Sequence, residues 1–286
     1  YTGDARPRIP ALRAAPIQVS YLGYLGTTGG EFMDYLIADP ITVPPESREH
    51  YSEKIAYLPT YQVNDTKRVV SDRVFTRAEL GLPAEGFVFC CFNASYKITP
   101  EVFASWMRIL AAVPDSVLFL VGDRGIAERN LRREAAARGI ASERIVFGGR
   151  VAPADYLARY RAADLFLDTA PYNAGTTASD ALWVGLPVLT CIGSSFAARV
   201  AASVLSAAGL PELIAQDRAQ YEALAIELAT QPDRLAAIRR RLADCRPACA
   251  LFDTPALTRK IEQAYCRMYE RYLAGLPPEH LPLDPH

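Results

Sequence analysis

Histidine is scarce. The 286 residues hold only three, His50, His280 and His286. His50 lies in the polar run SREHYSEK and the other two in a C-terminal tail, so acid–base catalysis by imidazole has little to be built from. No Gly-x-Ser-x-Gly elbow offers a serine nucleophile. No Asp-x-Asp pair is present to bridge a metal to a diphosphate, and no Gly-Lys-Ser/Thr ending makes a Walker loop. The six cysteines have neither zinc spacing nor the framework of a small secreted domain. Cys90, Cys91 and Cys191 fall in apolar runs, where a thiol acts as a small core residue, and a reducing, cytoplasmic setting is expected. A surplus of one charge is also lacking. A formal net charge of −1 gives no electrostatic reason to expect nucleic acid. No apolar run reaches membrane-span length, and the start carries no signal-peptide pattern.

Half of the chain is hydrophobic, enough for a sizeable core. From about residue 86 onward, short apolar strand-like runs alternate with helical stretches: FVFCCFN (87–93), SVLFLVG (116–122), RIVFGG (144–149), DLFLDT (164–169), PVLTC (187–191) and ELIA (212–215). Such runs suit strands buried on both faces. Thr99 with Pro100 reads as an N-cap and first helical position, and Gly139 as a C-cap. The rhythm predicts an α/β domain with a doubly wound parallel sheet. Before 86 the texture is less regular. IQVSYLGYLG (17–26) and DYLIADP (34–40) read as strands, and Thr76 to Glu79 as a capping box opening a short helix. This part reads as the end of another α/β domain with a linker. After Asp253 an amphipathic helix carries Leu257, Ile261, Tyr265, Met268 and Tyr272 at helical spacing, and a proline-rich tail (276–286) is expected to be flexible.

PYNAGTTASDALWVGLP (171–187) follows a strand and opens a helix. In an open parallel sheet, ligands bind beyond the carboxyl ends of the strands. Free amides at a helix N-terminus suit a phosphate. Gly175 lets a ligand approach the backbone, Thr176 and Thr177 add hydroxyl donors, and Asp180, acceptor-only when ionised, suits a sugar hydroxyl. The same residues also read as a plain N-cap and a dipole partner. Lys97, just past the strand end in FNASYKITP, can reach a pyrophosphate held by the neighbouring loop or can be a surface lysine. GYLGTTGGEF (23–32) is a second glycine-rich turn after a strand.

Several blocks together resemble the catalytic region of O-linked N-acetylglucosamine transferases: APIQVSYLGYLGTTGGEFMDYLIAD, EHYSEKIAYLP, FNASYKITPEVFASWMRIL, LFLDTAPYNAGTTASDALWVGLPVLT and ARVAASVLSAAGLPELIA. The Ala and Arg content suggests a bacterial member. The resemblance implies the GT-B arrangement of two Rossmann-like lobes facing across a cleft. Residues 1–75 would be the end of the N-terminal lobe and a linker, 76–252 the complete donor-binding C-terminal lobe, and 253–275 a helix crossing back to the first lobe. It implies a UDP-N-acetylglucosamine donor, a Ser or Thr acceptor on a protein or peptide, inversion, and no metal or other cofactor.

By position, Lys97 takes the catalytic place beside the diphosphate. Asn93, Asn173, Gly175, Thr176 and Thr177 line the donor, and Asp180 the ribose. Ala152, Tyr156 and Arg159 lie at the uracil, and Gly23, Tyr24 and Leu25 belong to the first lobe's face of the site. The sequence departs from the family at Ala94 or Ser95, where a glutamine is usual, and at Gly175, where a histidine is. It also lacks a lysine after Pro153, carries Tyr156 near a stacking histidine, and has Leu25 in place of a proline. The general base, the tetratricopeptide repeats and the rest of the first lobe would precede this chain or lie on a separate one. A UDP-glucose N-glucosyltransferase, a GDP-fucose fucosyltransferase, a sugar-nucleotide epimerase and a non-catalytic nucleotide-binding scaffold are the alternatives.

Overall fold

The computed structural model describes residues 5–122, 125–246 and 248–282. His286, the first four residues and the last four lie outside that range. After a short helix α1 (Arg8–Ala11) come three parallel strands, β1 (Val19–Ser20), β2 (Tyr35–Ala38) and β3 (Lys54–Tyr57), in the order β1-β2-β3. Sequence patterning does not mark β3, because KIAY is short and starts on an exposed lysine. The run read as a strand over 17–26 pairs only at Val19 and Ser20 before its glycine turn.

The second sheet holds β4 (Val88–Cys91), β5 (Val117–Val121), β6 (Ile145–Gly148), β7 (Leu165–Leu167), β8 (Val188–Cys191) and β9 (Ile214–Ala215), all parallel, in the order β6-β5-β4-β7-β8-β9. These are the six runs expected from the alternation. Around the sheet run α2 (Pro100–Ala112), α3 (Ile126–Ala136), α4 (Pro153–Arg159), α5 (Thr176–Trp183), α6 (Val200–Ala207), α7 (Arg218–Thr230) and α8 (Pro232–Cys245). Thr99 caps α2 by accepting from Val102 N at 3.3 Å. Gly139 takes a left-handed φ of 77° just past α3, as a helix stop requires. Fully buried Phe89, Phe119, Phe166 and Trp106 fill the core, each contributing about 2–3 kcal/mol of burial. The capping box forms reciprocally: Thr76 N donates to Glu79 Oε2 at 2.7 Å and Glu79 N to Thr76 Oγ1 at 3.2 Å. It closes a single turn and not a helix, because the chain reverses at Gly81 with φ 68°.

The chain returns to the first sheet through α9 (Thr254–Leu273), capped by Asp253 accepting from Ala256 N at 2.9 Å. Strand alternation divides the contacts. Tyr35, Ile37, Ala56 and Leu58 meet Leu257, Ala264 and Met268 of α9. Leu36, Ala38, Ile55 and Tyr57 share a cluster with Phe196 and Val200 of the second lobe. Both faces of β2 are therefore buried. The α9 stripe is narrower than its sequence spacing suggests: Ala264 is buried, while Tyr265 and Tyr272 are about half exposed.

Two polar ties reinforce the contact between lobes. The buried Asp39 accepts from Thr42 N at 2.7 Å and Tyr61 N at 2.6 Å, and also from Ser203 Oγ of α6. Arg199 donates to the carbonyls of Ile41 and Gly193. The tail also differs from expectation. At His280 and Leu281 it lies against β3, with Leu281 N donating to Ile55 O at 2.9 Å, Tyr57 N to Leu281 O at 3.1 Å, and Ile55 N to His280 Nδ1 at 2.9 Å. Before that, Arg271 of α9 donates to Pro277 O at 2.9 Å and pairs with Glu279. Unpaired edge amides and the apolar Leu281 side chain, 6% exposed, hold it there. Among the described residues no helix is long and apolar enough to cross a membrane.

Met268, 2% exposed, is central to the α9 contact, whereas Tyr269 is 53% exposed. Met268→Ala is expected to cost about 2–4 kcal/mol in denaturant unfolding, and Tyr269→Ala about 0.5 kcal/mol or less. Equal effects would mean that α9 does not dock on this face.

Candidate active site between the lobes

Strand order reverses between β4 and β7, and the crevice of an open α/β sheet opens at such a point. The loops leaving these two strands meet there. Asp168 directly follows β7 and is 3% exposed. Its carboxylate accepts from Thr169 N at 2.7 Å, Ala174 N at 2.8 Å, Thr190 Oγ1 of β8 at 2.7 Å and Asn93 Nδ2, beyond β4, at 3.1 Å. Behind it Tyr221 donates to the Asp168 carbonyl at 3.0 Å and receives Trp106 Nε1 at 3.1 Å. Burial raises the Asp168 carboxyl to about 6, against the lowering by its hydrogen bonds and by Lys97.

That anchor sets the loop 168–175, and the loop sets Lys97. The ammonium donates to the Asn173 carbonyl at 2.9 Å and sits 3.9 Å from the centre of the Tyr172 ring. Burial lowers the Lys97 pKa, and Asp168 opposes the shift. α5 starts at Gly175 without a side-chain cap, so its first-turn amides face outward with partial positive charge.

A cleft of about 390 Å³ joins Lys97, Tyr172, Gly175 and Thr176 of the second lobe to Gly23 and Leu25 of the first. Lys97 and the start of α5 thus share one cavity. The connector between the lobes lines it as well, through Gln62, Asn64 and Arg68. Gln62 Oε1 lies 3.2 Å from where a Cβ on Gly175 would stand. Asn64 Nδ2 donates to Ser179 O at 2.7 Å. Arg68 pairs with Asp180 Oδ1. Burial raises the Asp180 carboxyl to about 6, with Arg68 pulling it down. Tyr24, 39% exposed, stands beside the Gly23 turn.

Other expected residues lie behind the cleft or away from it. Asn173 is 0% exposed and its Nδ2 binds Thr169 O at 2.8 Å, so it reaches the site only through its carbonyl to Lys97. Asn93, 4% exposed, ties Thr169 Oγ1 at 2.8 Å and accepts from Thr177 Oγ1. The Asn93 side chain, the Asn173 Nδ2 and the Thr177 hydroxyl are committed to the frame, whereas the buried Asn173 Oδ1 has no hydrogen-bond partner among the described residues. Ala152 is exposed at the start of α4. Tyr156 turns inward, with its hydroxyl 2.6 Å from that of Tyr160 and its ring 5.8 Å from Phe92. Arg159 is 2% exposed and donates to Gly149 O at 2.7 Å, bracing the loop that carries Ala152. The same loop supplies Arg150 to a second concavity of about 310 Å³ beyond β4 and β5. His50 is exposed at the end of a 3-10 turn (Pro45–His50), far from any role in lining the cleft.

Comparison with known proteins decides the kinship. The family model described as glycosyl transferase family 41 matches residues 1–74 and 66–261. The chain belongs to glycosyl transferase family 41. It is 38% identical over 98% of its length to a probable UDP-N-acetylglucosamine–peptide N-acetylglucosaminyltransferase, SEC, of Arabidopsis thaliana, covering 29% of that protein. It is 30% identical over 98% of its length to the corresponding transferase of Caenorhabditis elegans, covering 34% of it. A mutant O-GlcNAc transferase of Thermobaculum terrenum superposes with a TM-score of 0.81 at 34% identity, over 91% of this chain and 49% of that one. The lipopolysaccharide glycosyltransferase WaaG, at 18% identity and a TM-score of 0.59, shares the fold. The family 41 chain is thus of GT-B type and spans about a third of the length of these curated relatives.

Asp168 generates a pH prediction. Its folded value of about 6 lies above the ordinary 3.8, so the folded chain keeps a proton through a window in which the unfolded chain has lost it. Its contribution to stability therefore falls as pH rises from about 4 to about 6 and is level above that. Asp168→Asn cannot ionise and lacks this slope. In denaturant titrations the wild type should lose ground to the variant across that window. A difference that is constant or grows with pH would contradict this.

Proposed function

We propose that this family 41 chain is the donor-binding part of a glycosyltransferase that moves N-acetylglucosamine from UDP-GlcNAc to a Ser or Thr hydroxyl of a protein, with inversion and without a metal. The observation that carries the reading is the meeting of Lys97 and the uncapped start of α5 in one interlobe cleft. The named relatives point to the same sugar nucleotide.

The chemistry follows from where charge develops. As the glycosidic bond to the diphosphate breaks, negative charge grows on the leaving UDP. A fixed ammonium and preorganised amides at that point are worth more in the transition state than in the ground state. Lys97 supplies the ammonium, the first turn of α5 the amides, and Thr176 a hydroxyl donor. Asp180 is the acceptor for ribose hydroxyls, and the loop carrying Ala152, braced by Arg159, is the place for the uracil. Gly23, Tyr24 and Leu25 bring the first lobe against donor and acceptor. No described histidine lines the cleft. Asp65 does, with Oδ1 accepting from Lys67 N at 2.9 Å. The reading assigns the acceptor's proton to a group elsewhere in the whole protein, alongside the repeats that would present the acceptor.

In the full-length protein Lys97→Ala is expected to lower kcat by about 100-fold or more, the ~3 kcal/mol typical of one such donor. Direct titration should show UDP binding well ahead of GDP. Unchanged transfer rates would remove Lys97 from the mechanism, and a clear preference for GDP would replace the donor.

A further inference from the structure

The connector between the lobes carries an arginine that sequence spacing gives no reason to single out. Asp180 lies one helical turn beyond Thr176, on the same face of α5. Its side chain is 3% exposed, and Arg68 reaches it from the connector at Oδ1. Arg68 itself is 27% exposed and lines the cleft with Lys97 and Thr176. The connector is not a loose strand at this point. Gln62 Nε2 donates to Ser179 Oγ at 3.4 Å and Asn64 Nδ2 to Ser179 O at 2.7 Å. Asn64 N donates to Leu251 O at 2.8 Å, and Arg68 N to Asp65 O at 3.2 Å. The guanidinium is therefore presented from a backbone pinned to the helix it serves.

We propose that Arg68 is a positioning residue for the nucleotide ribose: from the connector it fixes the Asp180 carboxylate so that its remaining acceptor capacity faces a vicinal diol in the cleft. This rests on the reading of the cleft as a nucleotide-sugar site and adds the element that orients one of its acceptors. A carboxylate has two oxygens and about four lone-pair directions, so a cation held on Oδ1 leaves Oδ2 to accept hydroxyls. The cation also keeps the acid in its accepting form. Burial raises the Asp180 carboxyl, and Arg68 is the group that counters the shift. A protonated Asp180 would be a donor at one oxygen and a poorer partner for a diol. Because Arg68 belongs to neither sheet, sugar recognition becomes sensitive to how the connector lies between the lobes.

The test compares UDP with 2′,3′-dideoxy-UDP by calorimetric titration of the full-length protein. The wild type should bind UDP roughly 10-fold or more tightly than the analogue, as hydrogen bonds to a charged acceptor imply. In Arg68→Ala the ratio should fall to within about threefold, because UDP loses more affinity than the analogue. Arg68→Lys, which keeps the cation, should retain an intermediate ratio. An Arg68→Ala protein that keeps the wild-type ratio overturns the proposal, even if its melting temperature drops, because the ion pair is then only structural. If the wild type binds both ligands equally, or Asp180→Asn keeps the preference, Asp180 is no ribose acceptor. This inference then fails, whereas the nucleotide-site reading fails only if UDP itself does not bind.

Discussion

A buried carboxylate at the reversal of strand order holds the rest of the site in place. Asp168 draws the end of β7, the segment beyond β4, β8 and the loop before α5 onto one group through four hydrogen bonds. Taking a carboxylate out of water is costly unless its acceptor capacity is used. The raised pKa records that this cost is not fully offset. Tyr221 of α7 donates to the Asp168 carbonyl and is itself held by Trp106 of α2. With this anchor in place, the loop turns so that the Asn173 carbonyl and the Tyr172 ring meet Lys97.

The consequence is a site whose positive charge is fixed in advance. Lys97 needs no rearrangement to face the start of α5, since both line one cleft. The neutral groups around the ammonium, a carbonyl and an aromatic face, hold it without neutralising it, and Asp168, the carboxylate that acts on it, lies buried behind the loop. A preorganised cation beside uncapped helix amides is what a departing diphosphate requires. The first lobe closes the same cleft through Gly23 and Leu25, and its position relative to the second is set by Asp39, Arg199 and the cluster around Phe196.

Much of this was legible in the sequence where local chemistry decides it. The six strands of the second lobe, the Thr99 cap and the Gly139 stop follow from apolar runs and backbone preferences. Lys97, Gly175 and Thr176 stand out because each follows a strand or opens a helix. What was not legible depends on contacts distant in sequence. Arg68 meets Asp180 across 112 positions, and Asp39 meets Ser203 across 164. Nothing near either residue marks them. Asn93, Asn173 and Thr177 could be placed near the site, yet only the fold shows the Asn93 side chain, the Asn173 Nδ2 and the Thr177 hydroxyl bonded into the frame. The tail reads as unstructured because its proline-rich composition resists regular structure, but Leu281, an open strand edge and Arg271 of α9 together dock it.

The central claim is that Lys97 and the start of α5 hold the same diphosphate. A crystal of the protein soaked with UDP tests it most directly. The account predicts density for the diphosphate within hydrogen-bonding distance of Lys97 Nζ and of the amides and hydroxyl around Thr176. A diphosphate bound instead in the concavity beside Arg150, out of reach of Lys97, would contradict it.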